Sequence, residues 1–315
     1  MPCFHPLKAY QREGGGPVVW DPNSRSAGMP INLPCGQCVG CRLERSRQWA
    51  VRCMHEAQMW DHNCFITLTY APEHLPKIFD TPTLVLSDFQ KFMKRLRFSA
   101  NGLTPYVNPD SGDTEYPIRF FHAGEYGEKF GRPHYHACLF NYDFQDKVFL
   151  KKSPSGMDLY RSKLLEDLWP FGHSSIGSVT FQSAAYVARY IMKKQNGSSA
   201  EKHYRAVDAE TGELLHRSPE YTTMSRRPGI GSLWFDKFSS DVYPHDYVVV
   251  NGRKCRPPKF YDARLQAVAP HTFEEIQFER HLKSQKQLDN STPDRLAVRE
   301  QVQLAQLNRL PRKLD

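Results

Sequence analysis

The chain has 315 residues, 40% hydrophobic and 24% charged, with a formal net charge of +8. That composition suits one large globular domain or two modest ones, and the cationic excess favours a polyanionic partner. No apolar run approaches the ~20 residues of a membrane span and Met1 to Gly16 lacks the apolar core of a secretory signal, so no membrane partner and a reducing cytoplasm are expected. There the 8 cysteines read as thiols or metal ligands rather than disulfides.

Residues 1–41 are rich in Pro and Gly and read as an irregular arm. Residues 42–60 read as a helix, with Trp49, Ala50, Cys53, Met54, Ala57 and Trp60 at helical spacing and Arg42, Arg45, Arg47 and Arg52 on the polar side. Cys64 to Tyr70 is a β-branched and aromatic strand. Ser87-Asp88-Phe89-Gln90 has the pattern of a capping box opening a helix, with Phe89, Phe92, Met93 and Leu96 as its core stripe and Lys91, Lys94, Arg95 and Arg97 as its basic side.

Pro105 to Pro117 is a turn-rich loop. Ile118 to Ala123 and Pro133 to Phe140 are strands that Glu125 to Gly131 can close into a hairpin. Lys163 to Trp169 is a short helix, Ser174 to Phe181 a strand, and Ala184 to Lys194 a helix. This order predicts an α+β fold, an antiparallel meander with helices on one face. The polar run to Gly212 reads as an exposed loop, and residues 213–265 as mixed and irregular. Thr292-Pro293-Asp294 starts a C-terminal helix running to Leu310.

The most informative stretch is Arg132-Pro133-His134-Tyr135-His136. Side chains alternate across a strand, so His134 and His136 share one face and can share one cation. Glu125 and Glu128 both precede them as candidate third ligands, with His122 as a substitute. A His-His-Glu set with open positions suits a catalytic divalent ion: manganese, more weakly magnesium, or zinc. About fifty residues on, Tyr186 and Tyr190 stand one helical turn apart, so both can face one metal-bound phosphate in turn. Arg189, Lys193 and Lys194 bring cations to the same helix, to stabilise a phenolate or clamp a phosphate.

Cys35-Gly36-Gln37-Cys38-Val39-Gly40-Cys41 is a CxxCxxC run whose glycines allow the tight turns of a metal knuckle. Cys3, or His5, can complete a four-ligand structural zinc site that pins the N-terminal arm. Cys53, Cys64, Cys138 and Cys255 read as small hydrophobes. Lys91 to Arg97, Ser225-Arg226-Arg227 and Arg253 to Lys259 are candidate phosphate contacts. Lys91, Lys94, Arg95, Arg226 and Arg227 stand out among them as DNA-binding candidates, with Arg189 and Lys194. The sequence carries no Gly-x-x-x-x-Gly-Lys-Ser/Thr motif, so strand separation falls to a partner.

Phe65-Ile66-Thr67-Leu68-Thr69, His134-Tyr135-His136 and Tyr186-x-x-x-Tyr190-x-x-Lys193 resemble the three ordered motifs of the HUH endonucleases, the rolling-circle replication initiators. The cysteine run, Trp49-Ala50-x-Arg52-Cys53 and Met224 to Gly231 look like the replication initiator of gokushovirus-type microviruses, small single-stranded-DNA phages. The resemblance implies a five-stranded antiparallel sheet with the histidine strand central. It implies Mg²⁺ or Mn²⁺ on the histidines, and an upstream acidic ligand that favours Glu125. It also implies a nickase with strand-transfer and ligase activity through a 5′-phosphotyrosine, with Tyr186, Tyr190 and Lys193 catalytic. The substrate it implies is single-stranded or supercoiled phage origin DNA, met in the cytoplasm of a bacterial host with a host helicase and replication machinery as partners.

The expected organisation is a Cys-rich arm (1–41), a nicking domain (42–200), an irregular extension (201–265) and a C-terminal helical segment (266–315). The competing readings are a zinc hydrolase using His134, His136 and Glu125, and a non-catalytic DNA-binding protein with a zinc knuckle.

Overall fold

A computed structural model describes residues 3–12, 16–108, 111–127, 130–189 and 198–309. The chain divides into two units, one built on Ser46–Ala263 and the other on Met1–Arg45 with Arg264–Pro311. In the larger unit, seven strands form one sheet in the order Val148–Lys152, Asp158–Arg161, Ser174–Gly177, Asn63–Thr69, Pro133–Phe140, Arg119–Tyr126, Tyr221–Met224. Every pairing is antiparallel. The histidine strand Pro133–Phe140 is therefore interior, as expected, but the sheet has seven strands rather than five.

Helices cover both faces of this sheet, not one. The reason lies in the strands themselves, which are apolar at both parities. Ile66, Leu68, Tyr135 and Leu139 pack with Phe89, Phe92, Met93 and Leu96 of the helix Leu86–Ser99. Phe65, Phe121, Cys138 and Phe140 pack with Ala184, Val187 and Ala188 of the helix Phe181–Arg189, and with Ala50 and Cys53 of the helix Val39–Ala57. A sheet uncovered on either side would leave several Phe and Leu side chains in water, each costing about 1.5–3 kcal/mol.

Several local expectations change. The helix Leu86–Ser99 takes Val85 as its cap and makes no side-chain capping bond, so the Ser87–Gln90 box is not used. Asp88 instead accepts a hydrogen bond from the Tyr70 hydroxyl at 2.7 Å. The strand after Trp169 is short, Ser174–Gly177, and Phe181 opens a helix instead of closing that strand. The stretch expected to be irregular carries the edge strand Tyr221–Met224 and the helix Ser232–Val242.

A buried ion pair fixes this later segment. Glu56 is fully buried and pairs with Arg119, itself 4% exposed. Glu56 also accepts from the Trp60 indole N–H (3.1 Å) and from Gly231 N–H (2.6 Å), while Arg119 donates to Pro228 O (2.8 Å). Gly231 has φ +79°, and a Cβ there would meet the Tyr261 hydroxyl at 2.8 Å, so only glycine fits. Breaking such a pair from one side leaves an uncompensated buried charge, which costs about 3–5 kcal/mol.

In the smaller unit the arm is not irregular. Leu7–Arg12 pairs with Ala27–Leu33 as a hairpin. The C-terminal helix runs Pro293–Asn308 with Thr292 at its cap and proline in its first turn, as the sequence predicts. His5 Nε2 lies 2.7 Å from Glu300 on that helix. Among the described residues, no helix is long and apolar enough to cross a membrane.

One buried histidine makes stability depend on pH. His55 stacks on Trp234 with ring centroids 3.5 Å apart, and its Nδ1 lies 2.9 Å from the Tyr261 hydroxyl. Burial depresses its pKa to about 4. Below the unfolded value of about 6.5, the unfolded chain takes up a proton that the native state refuses. The stabilisation from neutral His55 is thus present above pH ~6.5 and lost as pH falls toward 4, at up to ~1.4 kcal/mol per pH unit. Urea unfolding at pH 7, 6 and 5 is expected to show this decline, and His55→Asn to flatten it by one proton. A wild-type slope unchanged in the variant would contradict the assignment.

Candidate active site

The register of three strands assembles the site. His134 faces Thr69 on one neighbour and Glu125 on the other, and His136 faces Thr67 and Ala123. Glu125 therefore sits in the strand Arg119–Tyr126, not in the hairpin loop where the sequence placed it. Its side chain reaches diagonally to His136, with Oε1 3.0 Å from Nε2. The other ring nitrogen, Nδ1, lies 3.0 Å from the Thr67 hydroxyl. His136 is 1% exposed and Glu125 4%. A hydroxyl donates or accepts, so Thr67 serves either imidazole tautomer.

Aromatic rings bracket His136. Phe65 lies parallel at 5.9 Å between centroids, and Tyr186 meets it edge-on at 5.1 Å. Tyr186 arrives on the helix Phe181–Arg189, whose Ala184, Val187 and Ala188 are buried on the histidine face of the sheet. Tyr186 is half-buried at the margin of that contact. His134 is less enclosed, 6.4 Å from His136 by ring centroids. Its imidazole lies against the backbone of Gly127, where a Cβ would stand 2.7 Å from His134 Nε2.

Two of the three expected donors stand at the spacing that a hard divalent ion asks of neighbouring ligands. Two neighbouring ligands of an octahedral ion with bonds of about 2.1 Å lie about 3.0 Å apart, the spacing of His136 Nε2 and Glu125 Oε1. The full set is looser than a closed site. Among the described residues, only Cys3, Cys35, Cys38 and Cys41 form a group of three or more metal-ligating side chains whose ligand atoms all lie within 4.8 Å of one another.

His122 is not a substitute ligand. Its place in the strand, three residues before Glu125, turns it to the opposite face. There it stacks on Phe89 with centroids 3.4 Å apart, and its Nδ1 lies 3.0 Å from the Thr223 hydroxyl. Burial holds its pKa well below the usual histidine range. Phe121 and Tyr126 are also buried, and the Tyr126 hydroxyl donates to Ser218 O (2.6 Å), so neither is a free stacking platform.

The basic candidates do not gather at the histidines. Lys91 and Lys94 are exposed on the helix Leu86–Ser99, which packs on the face away from His136. Arg95 donates twice to Leu168 O, at 3.0 and 2.6 Å. Arg226 and Arg227 follow the strand Tyr221–Met224, whose Met224 pairs with Phe121 and Tyr221 with Gly124, so they lie toward the strand end opposite Glu125. Arg189 ends its helix, and only its backbone is described. Glu128, Tyr190, Lys193 and Lys194 lie outside the described residues. Sequence reasoning missed the role of Thr67; the signal was its parity with Phe65 in a strand adjacent to the histidines.

The cysteine run folds as a second centre. Cys38 Sγ and Cys3 Sγ are 3.9 Å apart, close to the ~3.8 Å that two sulfurs at about 2.3 Å from a tetrahedral ion would have. Backbone N–H groups point at the sulfurs: Cys35 at Cys3 (3.3 Å), Phe4 at Cys38 (3.4 Å), and Gln37 and Cys38 at Cys35 (3.4 and 3.3 Å). Gly36, at φ +74°, makes the turn between them. The group can hold a metal ion such as zinc. Leu296 of the C-terminal helix packs on it, together with Phe4. Cys53, Cys64 and Cys138 are buried, and burial raises the Cys53 and Cys64 thiols well above the usual range.

A family model described as replication-associated protein ORF2/G2P matches residues 63–195. The replication-associated protein VP4 of Bdellovibrio phage phiMH2K is 33% identical over 289 residues, 91% of this chain and 84% of that protein. The chain belongs to the microvirus-type replication-associated proteins. ORF2 of Spiroplasma virus 4 is 32% identical over 84% of this chain and 81% of its own, and ORF4 of Chlamydia phage 1 is 35% identical over 74% and 53%. No solved structure matches. The family match at 63–195 spans the three site strands and the helix Phe181–Arg189.

Proposed function

We propose that this replication-associated protein initiates rolling-circle replication by nicking and rejoining single-stranded phage origin DNA. The observation that carries the reading is the Tyr186 ring, edge-on to His136 with ring centroids 5.1 Å apart, while His136 Nε2 is in turn 3.0 Å from Glu125 Oε1. His134, His136 and Glu125 would hold Mg²⁺ or Mn²⁺. When bound, the ion polarises the scissile phosphate and offsets charge on its non-bridging oxygens. Thr67 accepts the Nδ1 proton of His136, which leaves Nε2 as the ligand atom.

The Tyr186 phenol gives up its proton and its oxygen attacks phosphorus in line. One P–O bond forms to tyrosine and the P–O3′ bond breaks, with a proton going to the departing 3′-oxygen. The 5′-phosphotyrosine keeps the bond energy, so a later 3′-hydroxyl reverses the step without ATP. Tyr190 provides the second cut, and Arg189, Lys193 and Lys194 supply cations to the phenolates and phosphates. A host helicase separates the strands in the bacterial cytoplasm.

Incubation with an origin oligonucleotide and Mn²⁺ is expected to give a denaturation-resistant protein–DNA adduct. Changing both Tyr186 and Tyr190 to Phe removes it, and Thr67→Val lowers its rate ~10–100-fold. Cleavage without an adduct, persisting in the double Phe variant, would replace this reading with a metal hydrolase. Salt-sensitive binding that survives His136→Ala with no cleavage at all would leave only a DNA-binding protein.

We further propose that Cys3, Cys35, Cys38 and Cys41 bind one structural zinc ion. The expected result is one zinc per chain by elemental analysis, lost in Cys38→Ser. Hydrogen exchange in Pro293–Asn308 should quicken on zinc removal, because Leu296 packs on the cluster. A zinc-free chain with the same protection would contradict this.

A further inference from the structure

At the far end of the Arg119–Tyr126 strand from Glu125, a cavity of about 340 Å³ opens beside Ser225, Arg226 and Arg227. Arg97 and Phe120 line it, with Tyr116 at 59% exposure. No carboxylate lines it. Glu56, behind the wall, is committed to Arg119, which lines the cavity. Arg226 and Arg227 are exposed and make no ion pair among the described residues. Arg97 spends one N–H on Ile118 O (3.2 Å) and lies 5.8 Å over the Phe120 ring, which leaves most of its donors unspent. Ser225 Oγ accepts from Phe120 N–H (3.1 Å) and keeps its own O–H to donate.

The wall is preformed. Pro228 O is held by Arg119, Ile230 O by Arg52 Nε (2.9 Å), and Gly231 N–H by Glu56. A ligand therefore meets arginines whose backbone is already ordered, and less entropy is lost on binding. The volume falls in the ~300–1,000 Å³ range of small-ligand sites. Unpaired guanidinium forks match phosphate oxygens, and flat rings accept a base of any identity.

We propose that this cavity holds one nucleotide of the single-stranded DNA flanking the scissile phosphate. Arg226, Arg227 and Arg97 contact its phosphates, and Tyr116 and Phe120 contact its base. The inference rests on the nicking reading for the identity of the polymer and adds a second grip at a defined reach. Phe120 and Glu125 are five residues apart on one strand, about 17 Å at ~3.4 Å per residue, and their side chains lie on opposite faces of the sheet. A substrate must therefore extend farther than that from the nick and pass around the Arg119 end of the strand to use both.

The test uses the full-length protein and two oligonucleotides, one ending two nucleotides from the nick on each side and one extending ten. Fluorescence anisotropy is read across a salt series for wild type, Arg226→Gln/Arg227→Gln, Tyr116→Ala, and a charge-matched control, Lys151→Gln/Lys237→Gln. The expected result is at least tenfold weaker binding of the long oligonucleotide by the arginine double variant, with a salt slope reduced by about 1.4 for two lost phosphate contacts. Tyr116→Ala should weaken it several-fold with an unchanged slope. Binding and adduct yield on the short oligonucleotide should stay at wild-type levels. Equal losses in the control, or none in the arginine variant, would overturn the cavity. If no adduct forms on either substrate yet the length-dependent binding is lost in the arginine variant, the cavity stands and the nicking reading falls.

Discussion

His136 is fixed at both ring nitrogens by neighbours on two different strands, and the candidate site depends on that. Thr67 approaches from the Asn63–Thr69 strand and Glu125 from the Arg119–Tyr126 strand. Both contacts exist only because the histidine strand is interior and paired in one register on each side. A slip of one residue would turn His134 and His136 to the face of Phe89 and Trp169, and would put Tyr135 where the imidazoles now stand. Core packing on both faces resists that slip: Tyr135 is fully buried, with its hydroxyl bonded to the Val85 backbone and to Tyr70. The large residue between the histidines therefore acts as a register lock for the site.

Parts of this were legible in sequence and parts were not. Period-two alternation announced the histidine face, and nothing else competes to set side-chain direction in a strand. The same alternation, applied to Ile118–Ala123, would have removed His122 from the ligand candidates once the strand was extended to Glu125. It was missed because Gly124 and Gly127 made the segment look like a loop. Gly124 in fact clears the Tyr221 ring and Gly127 the His134 imidazole. The capping box is not formed because the helix begins at Leu86, with the Val85 backbone held at the cap by the Tyr135 hydroxyl, which leaves Ser87 inside the first turn. Cover on both sheet faces was readable from Cys138 and Phe140 sharing parity with the histidines, but which helices supply it depends on long-range packing. The edge strand Tyr221–Met224 has no pattern of its own strong enough to announce pairing a hundred residues back.

The charge of the chain is also distributed differently from its sequence clusters. The run Lys91 to Arg97 looks like one basic face, yet Arg95 serves Leu168 O and Arg97 serves Ile118 O. Lys91 and Lys94 stand on the opposite side of the sheet from His136. The basic residues of this run thus serve the fold or face away from His136 and do not form one cationic surface beside it. The cysteine cluster does different work: with Phe4, Leu296 and its N–H···S contacts it forms a small core that joins the start of the chain to the C-terminal helix.

The proposed nicking chemistry requires a divalent ion between His134, His136 and Glu125. Electron–nuclear double resonance on Mn²⁺ added to the purified protein tests it directly. Ligation by both imidazoles would give hyperfine couplings from two histidine nitrogens, one of which disappears in His136→Gln. A bound Mn²⁺ with no nitrogen coupling, or with couplings unchanged in that variant, would contradict it.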